Sequence, residues 1–443
     1  MSATTADPQV QLAPVSGKAR IDVLDVMRGI AILGIFFMNI PFMAAHVIDS
    51  VVNPRLLGWT LADKASWTAV QLLLEGTQRG LLELLFGAGL MVFAARAMTP
   101  DGPVAVADLY ARRNLWLLAF GLVDIFVLLW AGDILHMYAL AAMFLFPFRK
   151  LGPRLLVTLG LGYAMFVLIT GGVQYSERAS LIQRAQAVEQ KQAAKTALTA
   201  EEKKTAEEWK KVVQRRAGQD PGGVEYRAQE QRAHANGGVM AYAQFNIGTY
   251  MFFVLESLIP YTLEAFCMML FGIALWKWGV IQGERSMRFY LLLMLACYLP
   301  GLALRWFAVQ EMLVTTPIPR THWFTQEFSR IAVSIGHLAL INLAMKSGFG
   351  RAVLSPFKAA GRTAFSLYVL QTILGIWILF APWGPGLWGR LSWGGMYSVV
   401  VIAIVGQLIL ANLWLVFFTS GPLEWAWRSL SYVRRQPFLK RRG

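Results

Sequence analysis

Apolar residues fall into ten long runs, at about 26–46, 68–95, 112–130, 133–149, 155–174, 247–278, 287–308, 326–345, 362–381 and 396–419. About 20 consecutive apolar residues are enough to carry a helix across a bilayer. The expected fold class is therefore all-α and polytopic: a bundle of about ten transmembrane helices. Composition agrees, with 56% hydrophobic and only 15% charged residues, against roughly 25% charged in soluble domains. The second and sixth runs are long enough to tilt or to extend beyond the bilayer.

The first run also carries polar residues in register. Arg28, Asn39 and His46 lie 11 and then 7 residues apart. At 3.6 residues per turn these steps return to within roughly 20° of one face. Arg28 then sits near one membrane surface and His46 near the other, with Pro41 placed to bend the last turn ahead of His46. Polar side chains in hydrocarbon are costly, so such a stripe is a functional hypothesis by default.

The 41 Lys and Arg against 26 Asp and Glu give a net charge of +15. Nucleic acid is nevertheless excluded as a partner, because the cations sit at the ends of apolar runs and no basic-aromatic groove pattern exists. Lys18, Arg20, Arg96, Arg112, Arg113, Arg149, Lys150, Arg154, Lys277, Arg285, Arg288, Lys346, Arg351, Lys358, Arg362 and the Arg434–Arg442 tail all fall on one side if both termini are cytoplasmic. The opposite short loops hold only Arg55, Lys64, Arg320 and Arg390. The expected organisation is a cytoplasmic leader (1–20), transmembrane helices one to five (21–175), an extracytoplasmic insert (176–246), helices six to ten (247–420) and a basic cytoplasmic tail (421–443). The first run lacks a small-residue cleavage site and is not read as a signal peptide. The insert is rich in Glu, Lys, Arg, Gln and Ala, and predicts solvated helix broken at Pro221-Gly222-Gly223. A free helical excursion, a docking surface and a lid over an outward site are all compatible with it.

Glu75, Arg79 and Glu83 are spaced i, i+4, i+8 and predict one charged helical stripe, either an ion-pair ladder or the wall of a polar cavity. Asp124, Asp133 and His136 gather near the turn between the third and fourth runs, as an Asp-oriented imidazole or as a helix start. Glu256, Glu264, Glu327, Arg330 and His337 are expected to face the interior, with Arg330 and Glu327 as a local pair. Gly87-Ala88-Gly89 reads as close helix packing. No phosphate loop, dinucleotide fingerprint or zinc spacing occurs, and no metal is expected. Cys267 and Cys297 lie inside apolar runs and read as small core residues.

Several motifs spread over nearly the whole chain resemble the YeiB family of bacterial inner-membrane proteins. They are Leu24-Asp25-x-x-Arg28-Gly29-Ile30-Ala31-Ile32-Leu33-Gly34-Ile35 with Asn39, Leu85-Phe86-Gly87-Ala88-Gly89, and Trp130-x-Gly132-Asp133-Ile134-Leu135 with Tyr138. Gly361-Arg362-Thr363-Ala364 with Tyr368 and Gln371, and Gly421-Pro422-Leu423-Glu424-Trp425-x-Trp427-Arg428, complete the set. Asp124 and Glu83 stand where that family commonly has His and a small polar residue. The first run is also similar to the transmembrane acyltransferase superfamily, which includes the heparan-glucosaminide N-acetyltransferases. That resemblance implies acyl transfer from cytosolic acyl-CoA, acetyl-CoA foremost, to an extracytoplasmic hydroxyl or amine.

On that reading His46, Asn39 and Asp63 are the catalytic candidates. His46 would be a base or acyl carrier and Asn39 a donor to the acyl carbonyl. Arg28, Arg112, Arg113, Arg351, Lys358 and Arg362 would surround the cofactor's phosphates. The bilayer, the acyl donor and the acceptor are the expected partners, and a homodimer is compatible with the sequence. A transporter of a small polar solute using the same stripe, and a non-catalytic scaffold docking through the insert, are the alternatives. No inverted repeat or matched pair of broken helices is visible in favour of the transporter.

Overall fold

The computed structural model describes residues 21–94, 103–235 and 238–440. The expected leader, Lys18, Arg20, Arg96, Arg441 and Arg442 lie outside the described residues. The chain folds into helices α1 (Asp22–Ala44), α2 (Val47–Val52), α3 (Leu61–Leu73), α4 (Thr77–Ala94), α5 (Pro103–Phe126), α6 (Leu135–Leu145), α7 (Pro153–Ala193), α8 (Ala200–Arg216) and α9 (Pro221–Ala235). They continue with α10 (Val239–Thr249), α11 (Leu258–Lys277), α12 (Met287–Met312), α13 (His322–Met345), α14 (Gly348–Arg362), α15 (Ala364–Thr372), α16 (Trp393–Phe417) and α17 (Pro422–Ser431).

Among the described residues, six helices are long and apolar enough to cross a membrane: α1, α7, α11, α12, α13 and α16. A seventh candidate is the pair Gly348–Arg362 and Ala364–Leu379, bent by 75°. These helices mark the chain as a membrane protein. The second, third and fourth predicted spans fall on α4, α5 and α6, which are helical but outside that set. Helices α7, α12 and α16 turn large apolar side chains outward, among them Ile169, Leu299 and Ile402. In water each would forgo about 1.5–3 kcal/mol of burial, so this face belongs against lipid.

Helix α1 runs through the middle, packed on α4, α14, α15 and α16. Glycine sets the closest approaches. A Cβ on Gly361 would strike the backbone of Asp25, and one on Gly87 or Gly272 would strike the facing backbone of α11 or α4. Gly87 therefore packs as expected, whereas Gly89 has nothing within 4 Å on its Cβ side. The basic loops gather at the end where α1 begins. There Lys277 Nζ donates to the Leu151 carbonyl at 2.6 Å, Lys346 Nζ to Gly283 at 2.9 Å, and Arg112 to Ser431 at 3.3 Å. Both ends of the described chain meet there; it is called the basic end below.

Three expectations about continuity change. The chain breaks between α3 and α4, where Gly76 takes φ +70°, a conformation that costs an L side chain and suits glycine. Glu75 is thus in a turn, and the Glu75–Arg79–Glu83 stripe is not one helix face. A second break separates α14 from α15 at Thr363, where the chain bends by 75°. Finally, α1 ends at Ala44 and Ala45 is extended, which takes His46 off the helical face shared by Arg28 and Asn39. His46 instead stands at the start of α2.

The insert is helical but not free. Helix α7 continues unbroken into it for 41 residues in total, and α8 and α9 fold back toward the bundle. Its turn falls just before the predicted position, with Gly218 at φ +64° and Pro221 opening α9. Arg216 donates to the Val52 carbonyl, to Met312 at 3.0 Å and to Val314 at 2.6 Å. Arg227 pairs with Asp49 at 2.6 Å, and His234 stacks on Trp388 with centroids 3.9 Å apart.

Candidate functional site

Two cavities lie end to end along α1 and α4. The one at the basic end measures about 340 Å³, and the one at the opposite, outer end about 570 Å³. On α4, Leu82 lines the first and Arg79 the second, a separation of about 4.5 Å along the helix axis. Tyr138 closes the gap: its ring lines the basic-end cavity while its hydroxyl donates to the Arg79 carbonyl at 3.1 Å.

Arg28, Arg113, Arg362 and Arg428 line the basic-end cavity together with apolar residues of α1, α4 and α5. Arg28 pairs with Asp25 at 2.9 Å. The Arg113 guanidinium lies 4.6 Å from the centroid of a Trp427 ring, a cation–π contact. Arg362 donates to the Thr419 carbonyl at 3.0 Å. Glu424 also lines the cavity, but its oxygens accept from Phe365 N–H, Ser366 N–H and the Ser366 hydroxyl, capping α15. Three of the six expected phosphate-binding residues thus converge. The other three do not: Arg112 pairs with Asp108, Lys358 with Asp22, and Arg351 is exposed away from the cavity. Arg428 completes the group. Its signal was a cation placed directly after the tryptophan pair Trp425 and Trp427 in the tail motif.

The outer cavity has mixed charge. Glu75, Glu264 and Glu327 line it with Arg79, Arg216, Arg305, Arg320 and Arg330. Aromatic walls come from Phe37, Trp67, Tyr261, Trp393 and Tyr397. Arg330 is the hub of a buried network. It donates to Glu83 at 2.6 Å and, through two nitrogens, to Glu327 at 2.8 and 2.7 Å, and it lies 3.3 Å from Glu264. Arg79 pairs with Glu264 and stands 3.6 Å from Glu83. The expected local Arg330–Glu327 pair is therefore one edge of a five-residue cluster. Glu75 takes no part in it, and among the described residues its carboxylate makes no hydrogen bond. Glu256 is exposed rather than interior.

The expected catalytic set does not assemble. His46 lines neither cavity, although Phe42 and Ser50 on either side of it line the outer one. Its Nδ1 lies 3.0 Å from Glu230 Oε2 on α9, and Val47 N–H donates to the other Glu230 oxygen at 3.2 Å. The Glu230 hydrogen bond raises the His46 pKa above its ordinary value, against the opposing effect of burial. Asp63 is a structural cap. Its oxygens accept from Thr60 N–H at 2.9 Å and from Gly394 N–H at 2.8 Å, tying the start of α3 to the start of α16. Burial would raise its pKa, but hydrogen bonds from Ser392, Gly394 and Thr60 hold it well below the usual carboxylate range. Asn39 is buried in α1 with its Nδ2 unpartnered, and it lines neither cavity.

Asp124, Asp133 and His136 are brought together, but outside both cavities. Asp133 Oδ2 lies 2.8 Å from His136 Nδ1 and caps its backbone N–H at 3.0 Å. The Tyr368 hydroxyl donates to Asp133 Oδ1 at 3.2 Å, and Thr372 donates to Asp124 at 3.3 Å. Tyr368 lines the basic-end cavity, so this cluster stands directly behind its wall. Among the described residues no group of three or more His, Cys, Asp or Glu side chains could hold a metal ion.

Residues 275–434 match the family described as "Protein of unknown function (DUF418)". Similar chains include the "Uncharacterized protein YxaH" of Bacillus subtilis (strain 168), 29% identical over 97% of this chain and 98% of that one. The "Uncharacterized protein YeiB" of Escherichia coli (strain K12) is 25% identical over 94% and 98% of the two chains. The "Uncharacterized 39.9 kDa protein in amylase 3'region" of Bacillus acidopullulyticus is 24% identical over 96% and 98%. These end-to-end matches support the YeiB-like resemblance. No solved structure matches.

Proposed function

We propose that this protein is a transmembrane acyltransferase of the bacterial inner membrane, with about ten spans and both termini cytoplasmic. The single observation that carries the reading is the pair of cavities reaching toward each other from opposite ends. An arginine-lined cavity suits the phosphates of an acyl-CoA, because guanidinium binds phosphate oxygens in bidentate fashion. Arg28, Arg113, Arg362 and Arg428 would hold that head group. The acyl-bearing arm would point along α1 toward the partition at Tyr138 and Arg79. An acceptor hydroxyl or amine in the outer cavity would attack the thioester carbonyl. Its proton would pass to a base, the carbon–oxygen or carbon–nitrogen bond would form, and CoA would leave as its thiol.

Glu75 is better placed than His46 to be that base, since it lines the outer cavity beside the partition residue Arg79. His46, held through Nδ1 and open at Nε2, would act from beside the rim. A partition of about one turn is what a group transferred between compartments needs: close approach without a continuous water path.

A transporter of a small polar solute is favoured by one observation, the apolar pair α14/α15 bent by 75°, since broken helices build transport sites. The scaffold reading loses ground, because the insert spends Arg216, Arg227, Glu230 and His234 on the bundle itself. Release of CoA thiol from acetyl-CoA by purified protein, dependent on an added acceptor, tests the enzyme reading. Solute uptake into proteoliposomes without CoA would replace it with the transporter.

A further inference from the structure

The outer cavity contains more arginine donors than its own carboxylates use. Arg79 and Arg330 are consumed by Glu83, Glu264 and Glu327. Three further arginines line the same cavity: Arg216, Arg305 and Arg320. Arg305 is 8% exposed, yet its one hydrogen bond goes to the Gln71 carbonyl at 2.9 Å, and its Nε is buried without a partner. Arg216 spends both terminal nitrogens on backbone carbonyls and also leaves a buried Nε unpartnered. The Arg320 side chain makes no hydrogen bond or ion pair among the described residues. The neighbouring carboxylate, Glu311, is occupied by Thr321 N–H and hydroxyl and by His322 N–H. Of the lining carboxylates, Glu75 and Glu327 lie near enough to attract Arg305. Glu311 lies near Arg320.

Unmet donors on a buried cation are expensive, at about 1–3 kcal/mol or more for each group. Arg305 is such a cation, and with the half-buried Arg320 and Arg216 on the same cavity wall it describes a receptor for a group that accepts several hydrogen bonds and carries negative charge. Burial, with Arg320 nearby, lowers the Arg216 pKa to about 10.

We propose that the outer cavity binds a solute through an anionic group, a phosphate, sulfate or carboxylate, held by Arg305 and Arg320 with Arg216 at the rim. At about 570 Å³ the cavity has room for that group and a small body. Trp67, Trp393 and Tyr397 offer apolar faces to the body. Under the acyl-transfer reading this solute is the acceptor; under the transport reading it is the cargo. The site stands on its own lining residues and does not depend on either.

The test is calorimetry on the full chain in phosphatidylcholine nanodiscs, with inorganic phosphate and glycerol phosphate as probes, on wild type, Arg320→Gln, Arg305→Gln and Arg28→Ala. Expected are saturable binding by wild type and at least tenfold weaker binding in Arg320→Gln. Arg320 is only half-buried, so its variant keeps the test open if Arg305→Gln fails to fold. A second arm repeats the titration in phosphatidylglycerol nanodiscs. Loss of probe binding there assigns the anion to a lipid head group, and retention assigns it to a free solute. No binding by folded wild type overturns the proposal. So does binding that survives Arg320→Gln and falls in Arg28→Ala, which would place the anion in the other cavity. Because acetyl-CoA is absent throughout, failure of acyl transfer leaves this result untouched.

Discussion

The two ends of the bundle hold arginine differently. At the basic end, Arg28, Arg113, Arg362 and Arg428 surround a mostly apolar cavity, where Asp25 pairs with Arg28 and Glu424 is spent on a helix cap. At the outer end, Arg79 and Arg330 are locked between carboxylates while Arg216, Arg305 and Arg320 keep unspent donors. The lesson is that arginine count says little about function in a membrane bundle. Within the outer cavity, what separates a candidate binding cation from a structural one is whether the protein's own carboxylates already hold it.

The strongest way to break this contrast is at the hub. Arg330→Met strands Glu83, Glu264 and Glu327 in the interior, and removing one partner of a buried ion pair costs about 3–5 kcal/mol. Thermal unfolding in detergent should show a collapse in folded yield. A near-normal melting curve would show that the cluster is not structural.

Arg113→Gln, by contrast, should leave folding intact and weaken acetyl-CoA binding by roughly 10- to 150-fold, from about 1.5–3 kcal/mol for a charge-assisted hydrogen bond. Arg351→Gln should leave that affinity unchanged, because Arg351 is exposed and does not line the cavity. Equal effects of the two would erase the distinction between cavity cations and topogenic ones.

The outer end should also respond to pH through the insert. The His46 pKa is raised in the folded state by Glu230, with Asp49 adding to the effect and Arg227 opposing it. The folded state therefore binds this proton more tightly than the unfolded state does. Its stabilising contribution is complete below the unperturbed value of about 6.5 and disappears as pH rises through the raised value. Hydrogen-exchange protection factors across 221–235 should fall between pH 6 and pH 9 in wild type and stay flat in Glu230→Gln. Protection that grows with pH would contradict the pairing.

The smallest effect is expected at Asp63. Loss of a helix cap costs about 1 kcal/mol, so Asp63→Ala should lower the melting temperature by a few degrees while acetyl-CoA-dependent acyl transfer persists. Abolished transfer with normal stability would return Asp63 to the chemistry.

Much of the helical architecture was legible because lipid forces backbone hydrogen bonds inside each segment, leaving long apolar runs as an unmistakable mark. The Arg28–Asn39 face followed from helical periodicity alone. Periodicity failed where the chain stops being helical: at Ala45, which turns His46 away, and at Glu75-Gly76, which splits the predicted charged stripe. The docking of the insert had no local signature, since Glu230 and His46 are 184 residues apart. Arg305 did carry a readable signal as the cation inside the 287–308 run, Arg288 standing at its edge, and intramembrane charge is functional by default. Arg216 did not, since one cation in a charged helix looks like any other.

The central claim is that the basic-end cavity is a cofactor site joined to the outer one across a thin partition. Calorimetric titration of acetyl-CoA into purified wild type, Arg28→Ala and His46→Ala tests it most directly. The account predicts saturable binding by wild type, at least tenfold weaker in Arg28→Ala and unchanged in His46→Ala. No binding of acetyl-CoA or CoA by well-folded wild type, or binding indifferent to Arg28, would contradict it.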